Sequence, residues 1–384
     1  MYRLISTEVR GNLGILTLNS ERTLNALSKD MFVELLDALH LWKADENIAC
    51  IFLQGAGERA FCAGGDVRKL HDIITCKNGE SKELAAQGCI DFFVFEYQAD
   101  YLVHRYPKPI VAWLDRIVMG GGIGISNGAS HRIATERSLF AMPEIAIGLY
   151  PDVGASWFLN RMQAGFGAFV GLTGARLNGA DAKYLGLTTH CMDSQLKGSL
   201  LENLANQKWF ADAEQNRQLV SAMLDKMNSA DGAESKSIAA EHADVLSAFA
   251  GVENVLAFAE QLEEVAPKSA WLSDCNKEFK SGSPSSAHVI LEQLKRTQNM
   301  SLADVFRSEL NLSVQSCLHH PDFVEGVRAL LVDKDKAPKW QPASLGEVEQ
   351  SWVNSYFEPL WSEEENPFKN LDELISKRAS EISK

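Results

Sequence analysis

The chain has 384 residues, 46% of them hydrophobic and 23% charged, which is enough apolar material for one large core and a smaller second one and excludes general disorder. Its 51 acidic against 37 basic residues leave a formal charge of -14, so a phosphate backbone would be repelled and nucleic acid is not an expected partner. The seven cysteines are scattered, odd in number and never spaced C-x-x-C, which argues against a disulfide framework or a zinc site and fits a reducing compartment.

The start, Met1-Tyr2-Arg3-Leu4-Ile5-Ser6, lacks the apolar run of a secretory signal, and no stretch reaches the length needed to span a bilayer. The expectation is a cytoplasmic protein that stays off the membrane. Residues 14–18 (GILTL) and 48–53 (IACIFL) read as strands, and between them Ser28 can cap a helix carrying Met31, Leu35, Leu39 and Trp42 at helical spacing. Residues 109–114 (PIVAWL) give a buried strand, Gly120-Gly121-Gly122 opens a helix, and residues 131–135 and 138–142 give two further short strands. Strands interleaved with helices predict an α/β spiral or layered core over residues 1–195. Residues 196–384 read as a mainly helical second region that covers the active site, with long helical patterns over 199–227 and 239–265, a Ser/Gly/Pro-rich turn at 277–286 and a charged, solvated helix over 363–384.

Three segments combine residues that suit chemistry. Ala60-Phe61-Cys62-Ala63-Gly64-Gly65-Asp66 follows a strand and precedes a helix; small residues there let backbone N–H groups reach a ligand, although a plain turn capped by Asp66 fits as well. Met119-Gly120-Gly121-Gly122-Ile123-Gly124 puts four glycines into five positions at a helix start, each about 0.5–1 kcal/mol worse than alanine, so close packing or ligand contact must select them. One N–H donor from each of these bends would form an oxyanion hole for a thioester carbonyl. In Met142-Pro143-Glu144-Ile145-Ala146-Ile147-Gly148-Leu149-Tyr150-Pro151-Asp152-Val153-Gly154, two acids stand among apolar neighbours that can raise their pKa for acid–base work. A solvated Glu144 and an Asp152 that caps the next helix are the alternatives. Glu96 interrupts the aromatic-rich DFFVFEYQADY at 91–101, either at a helix edge or facing a polar cavity, and His319 and His320 lack a third ligand at metal spacing.

Together these segments resemble the crotonase (enoyl-CoA hydratase/isomerase) superfamily, whose fold is a ββα spiral core. Arg22-Thr23-Leu24-Asn25-Ala26-Leu27 looks like the family's coenzyme A loop, FCAGGD like its first oxyanion segment and MGGGIGIS like its second. By position the resemblance implies Ala63 as the first amide donor, with Gly64 or Gly65 as alternatives, and Gly121 as the second. MPEIAIGLYPDVGAS resembles the 3-hydroxyisobutyryl-CoA hydrolase branch and implies Glu144 and Asp152 as its catalytic carboxylates. It also implies Glu96, Gly64, Gly65 and Asp66 as substrate-binding residues. EGVRA at 325–329, DKDK at 333–336 and PKW at 338–340 are similar to the same branch.

The resemblance implies hydrolysis of a short branched 3-hydroxyacyl-CoA, with no metal or redox cofactor beyond the coenzyme A of the substrate. Enoyl-CoA hydratases carry a second glutamate where this chain has Gly124 and lack an acid at Asp152, which turns the reading from hydration toward hydrolysis. Ala155 and Ser156 stand where the branch commonly has glycines. A hydratase or isomerase, and a catalytically silent acyl-CoA-binding protein, are the rival readings. Related enzymes associate through C-terminal helices, so the chain is expected either to form a homo-oligomer or to cover that surface with its own longer C-terminal half.

Overall fold

The short apolar runs form the strands of two sheets in a computed structural model that describes residues 3–228 and 236–376. The strands are β1 (Ile5–Arg10), β2 (Leu13–Leu18), β3 (Cys50–Gly55), β4 (Ala60–Cys62), β5 (Ile110–Leu114), β6 (Ile117–Met119), β7 (His131–Thr135), β8 (Leu139–Ala141), β9 (Leu177–Asn178) and β10 (His190–Met192). Helices α1 (Lys29–Ala44), α2 (Val67–Ile74), α3 (Lys82–His104), α4 (Gly121–Asn127), α5 (Ala155–Leu159), α6 (Phe166–Thr173) and α7 (Gly179–Tyr184) alternate with them. The larger sheet runs β1-β2-β3-β5-β7-β10 and the smaller β4-β6-β8-β9. Apart from the β1–β2 and β8–β9 pairs, neighbouring strands are parallel, as strand–helix–strand crossovers require.

Alternation along the larger sheet decides what each face covers. Leu16, Leu18, Ile51, Leu53, Ala112 and Leu114 join the main core with α1 and α3, whereas Leu13, Ile15, Phe52, Val111 and Trp113 point the other way. That second face is closed by Leu200 and Leu204 of α8 (Lys197–Ala205) and Val220 and Leu224 of α9 (Ala213–Asn228).

After β10 the described elements are helical. The pattern over 199–227 divides into α8 and α9 because Asp212 accepts from the Gln215 N–H at 2.8 Å and starts a new helix. That over 239–265 divides into α10 (Ile238–Glu241), α11 (Ala243–Ser247) and α12 (Val255–Val265), the last capped by Asn254 on the Ala257 N–H at 3.0 Å. Then come α13 (Ala270–Ser281), α14 (Pro284–Thr297), α15 (Leu302–Leu318) and α16 (Asp322–Val327), with Gly282 and Ser283 as the turn expected between α13 and α14. Of the expected solvated helix over 363–384 the structure has one turn, Leu371–Leu374, and residues 377–384 lie outside the described residues. The main core draws on both halves of the chain, from Ile5 to Ile375.

Candidate active site

Strands β4, β6 and β8 lie side by side and parallel, with Cys62 opposite Val118 and Met119 opposite Ala141. Their carboxyl ends are therefore level, and the chain leaving each is one of the three segments singled out above. A parallel sheet presents such ends as one crevice.

Counting backbone N–H groups identifies which donors face that crevice. The Ala63 N–H donates to the Leu24 carbonyl at 3.0 Å, and the Gly64 N–H points to Cys62 Sγ at 3.3 Å. Ala63 is thus already engaged, which corrects its expected place as first donor. The next amide, Gly65, has no acceptor among the described residues, because its neighbours make the ties to the 22–27 loop: Leu27 N–H to the Gly64 carbonyl and Asp66 N–H to the Leu27 carbonyl, both at 2.8 Å. Gly121 is the first residue of α4, where a helix has no preceding carbonyl to accept its N–H, and none among the described residues does so. The two bends meet: a Cβ placed on Gly121 would lie 3.2 Å from Gly65 N, and one on Gly64 3.6 Å from Gly121 N. Asp66 caps α2 by accepting from the Lys69 N–H at 3.0 Å, so its carboxylate serves the helix start.

Four acids gather at or below this point. A Cβ on Gly120 would come within 2.8 Å of Glu144 Oε1, and one on Gly121 within 2.6 Å of Glu96 Oε1. Both glutamates are buried, at 6% and 3% exposure, so neither is the solvated or helix-edge residue that a plainer reading allows. Burial, and then the charge of Asp152, hold Glu144 well above the usual carboxylate range, and its Oε2 has no hydrogen-bond partner among the described residues. Burial and the charges of Asp152, Asp100 and Glu144 do the same to Glu96. Asp100, one turn further along α3, is fully buried, and neither of its oxygens has a partner among the described residues. Burial pushes Asp152 up too, while a hydrogen bond from Tyr97 restrains the rise and leaves it at about 6. Four like charges this close do not all ionise together.

The segments that carry Glu144 and Asp152 are fixed by the C-terminal helices. Glu144 opens a 3-10 turn, Glu144–Ile147, that ends at left-handed Gly148 (φ +69), where a Cβ would lie 2.2 Å from the Asp322 carbonyl oxygen. The Ser283 N–H donates to the Ile145 carbonyl at 3.0 Å, and Ser283 Oγ donates to Asp322 at 2.6 Å, so α14 and α16 clamp that turn. Asp152 sits on a tighter bend. Val153 and Gly154 both have positive φ, at 58° and 78°, and for a β-branched residue that conformation is a strain that the surroundings must hold. Glu309 of α15 holds it, accepting from the Gly154 N–H at 2.6 Å, the Ser156 N–H at 3.1 Å and Ser156 Oγ at 2.6 Å.

The model for enoyl-CoA hydratase/isomerase matches residues 13–357. The chain belongs to the enoyl-CoA hydratase/isomerase family. Among curated relatives of this family member, the rat protein named "3-hydroxyisobutyryl-CoA hydrolase, mitochondrial" is 38% identical over 357 residues, covering 92% of this chain and 89% of its own. The zebrafish protein (Danio rerio) of the same name is 36% identical over 352 residues, covering 91% and 88%. Among solved structures, a carnitinyl-CoA dehydratase from Mycobacterium thermoresistibile superposes with a TM-score of 0.80 at 30% identity, over 96% of this chain and 100% of its own. An enoyl-CoA hydratase from Rhodobacter sphaeroides gives 0.79 at 28%, over 93% and 98%. The crotonase-like α/β fold expected from the sequence is thereby established.

Sequence reasoning missed Tyr97, Asp100, Glu309 and Ser313. A signal existed for one of them, because Asp100 is spaced i, i+4 from Glu96 on one helix and so shares its face. Glu309 and Ser313 have the same spacing on α15, but nothing local ties that helix to the 152–156 turn. Of the paired His319 and His320, the first is exposed and the second is buried, stacked on Tyr356 at 3.4 Å between ring centres, and the described residues contain no cluster of three metal-binding side chains.

Proposed function

We propose that this family member hydrolyses a short branched 3-hydroxyacyl-CoA thioester, taking 3-hydroxyisobutyryl-CoA to 3-hydroxyisobutyrate and CoA as a step of valine degradation. The observation that carries this reading is a buried pair of acids, Glu144 and Asp152, next to two unengaged amides, Gly65 and Gly121. The names of the rat and zebrafish relatives support it.

In this reading the thioester carbonyl oxygen accepts from the Gly65 and Gly121 N–H groups, so the charge that develops on it meets fixed donors. One such donor is worth about 10²–10³ in turnover. Glu144 either adds to the carbonyl carbon, breaking the C–S bond and leaving a mixed anhydride that water then opens, or takes a proton from the water that attacks. Single turnover in ¹⁸O-water that labels Glu144 marks the anhydride route, in which water opens the anhydride at the Glu144 carbonyl and leaves its oxygen there. Asp152 orients the water or the substrate hydroxyl, and Glu96 holds the same polar end. The scheme draws on no metal or redox cofactor.

The hydratase reading has the names of the two solved relatives, a dehydratase and a hydratase, in its favour. Against it, the position where a hydratase carries its second glutamate is closed here, as a Cβ on Gly124 would lie 2.5 Å from Val153 Cβ. One assay distinguishes the readings. Hydrolysis releases free thiol from a panel of acyl-CoA esters, whereas hydration changes the spectrum of a crotonyl thioester without releasing CoA.

No helix among the described residues is long and apolar enough to cross a membrane. The scattered, odd-numbered cysteines fit a reducing compartment, and we place the protein in the cytoplasm although the named vertebrate relatives are mitochondrial. Cell fractionation checks this.

A further inference from the structure

We propose that Tyr97, held in turn by Ser313, is the positioning residue that aims the Asp152 carboxylate, an inference that rests on the role given to Asp152 above. Asp152 belongs to no helix or strand and sits beside the strained Val153–Gly154 backbone. Among the described residues one side chain donates to it: the Tyr97 hydroxyl, 2.5 Å from Oδ2. A carboxylate only accepts, so the Tyr97 proton is committed to it and the phenol oxygen is left to accept. Ser313 Oγ lies 2.6 Å from that oxygen, and Tyr150 Oη lies 2.8 Å from Ser313 Oγ. Tyr150 gives its own proton to the Glu309 carbonyl at 2.9 Å, so the result is a buried Ser313–Tyr97 pair of hydroxyls that can both donate in one direction, toward Asp152, and such chains strengthen their terminal bond.

The chain has rigid supports. The Tyr97 ring packs against Phe93 at 5.7 Å and Phe306 at 5.8 Å between centres, and it is fully buried in α3, while Ser313 is fully buried in α15. The C-terminal region thus reaches the reacting pair through a side chain that itself stays off the substrate. Helices α3 and α15, which also pack through Phe306 against Tyr97 and Tyr101, meet at this oxygen.

The other titratable groups facing Asp152 are all acidic: Glu96 and Asp100 from α3, Glu144 from the 3-10 turn, Glu309 and Cys317 from α15, and Tyr150 on its own segment. None of them favours an ionised Asp152. The Tyr97 hydrogen bond does, and it lowers the pKa of Asp152. Removing it raises that pKa, so the pH at which activity is lost on acidification moves upward.

The test is thioester hydrolysis as a function of pH for the parent, Tyr97→Phe, Ser313→Ala and Asp152→Asn, each with a thermal melt. Tyr97→Phe is expected to lose about tenfold to a hundredfold in kcat with KM changed by less than about threefold, and to move the acid limb of kcat/KM to higher pH. Ser313→Ala should move the limb the same way by less, and it carries the test if Tyr97→Phe does not fold. A merely structural role would lower the active fraction and leave the limb in place. Parent-like kcat and limb in both variants, with Asp152→Asn impaired, would overturn the proposal alone. Full activity in Asp152→Asn would instead remove the functional reading and this inference with it.

Discussion

Asp100 shows what the site costs the fold. It is fully buried with both oxygens unpartnered among the described residues, and burial followed by the charges of Asp152 and Glu309 keeps it protonated well above its ordinary value of 3.8. An acid whose folded pKa is raised binds a proton in the folded state that the unfolded chain has already lost. Stability from this group therefore falls as pH rises above about 4 and continues to fall up to the folded pKa. Asp100→Asn should remove that slope and melt higher than the parent at pH 8 than at pH 5, with about 2–4 °C for each kcal/mol recovered. An unchanged difference between the two pH values would contradict it. Glu144 and Asp152 were legible as acids in an apolar motif, and Gly121 as a helix-start amide. Gly65 was not, because the choice between it and Ala63 depends on the Leu24 carbonyl, which arrives from a loop that is distant in sequence.

At the level of elements, strands were read well wherever an apolar run was bounded by turns, as at β5 and β7. The long helix α3 was not, because its central part is buried on nearly every side, Glu96, Gln98 and Asp100 included, and so has no solvent-facing polar stripe to betray its period. The helical patterns of the second half merged across Asp212 and Asn254, whose caps divide them. Helix α15 has a testable duty. Glu309→Ala strips three donors in the 154–156 turn of their acceptor, each worth about 1–3 kcal/mol when left buried and unpaired, so a loss on the order of 3 kcal/mol is expected in urea unfolding. Glu309→Gln, which keeps an acceptor, should lose less, and equal losses would argue against this role. The serine that replaces a glycine of the branch at position 156 is explained by the same contact, since its hydroxyl donates to Glu309 at 2.6 Å.

For the whole molecule, the expected division at residues 195 and 196 describes a change of element type more than a change of core. Phe306, Leu310 and Val314 of α15 sit in one cluster with Leu16 of β2 and Leu35 of α1. A chain ending at residue 300 should therefore fail to give a cooperative melt by circular dichroism, and a sharp transition in it would show that the first half folds alone. The account as a whole stands on one arrangement: level strand ends bring two unengaged amides and a buried acid pair to one point. The most direct measurement is thiol release from 3-hydroxyisobutyryl-CoA by the parent, Glu144→Gln and Asp152→Asn proteins, with folding verified for each. The account predicts turnover by the parent and losses of about a hundredfold or more in both variants. Full activity in both would contradict it.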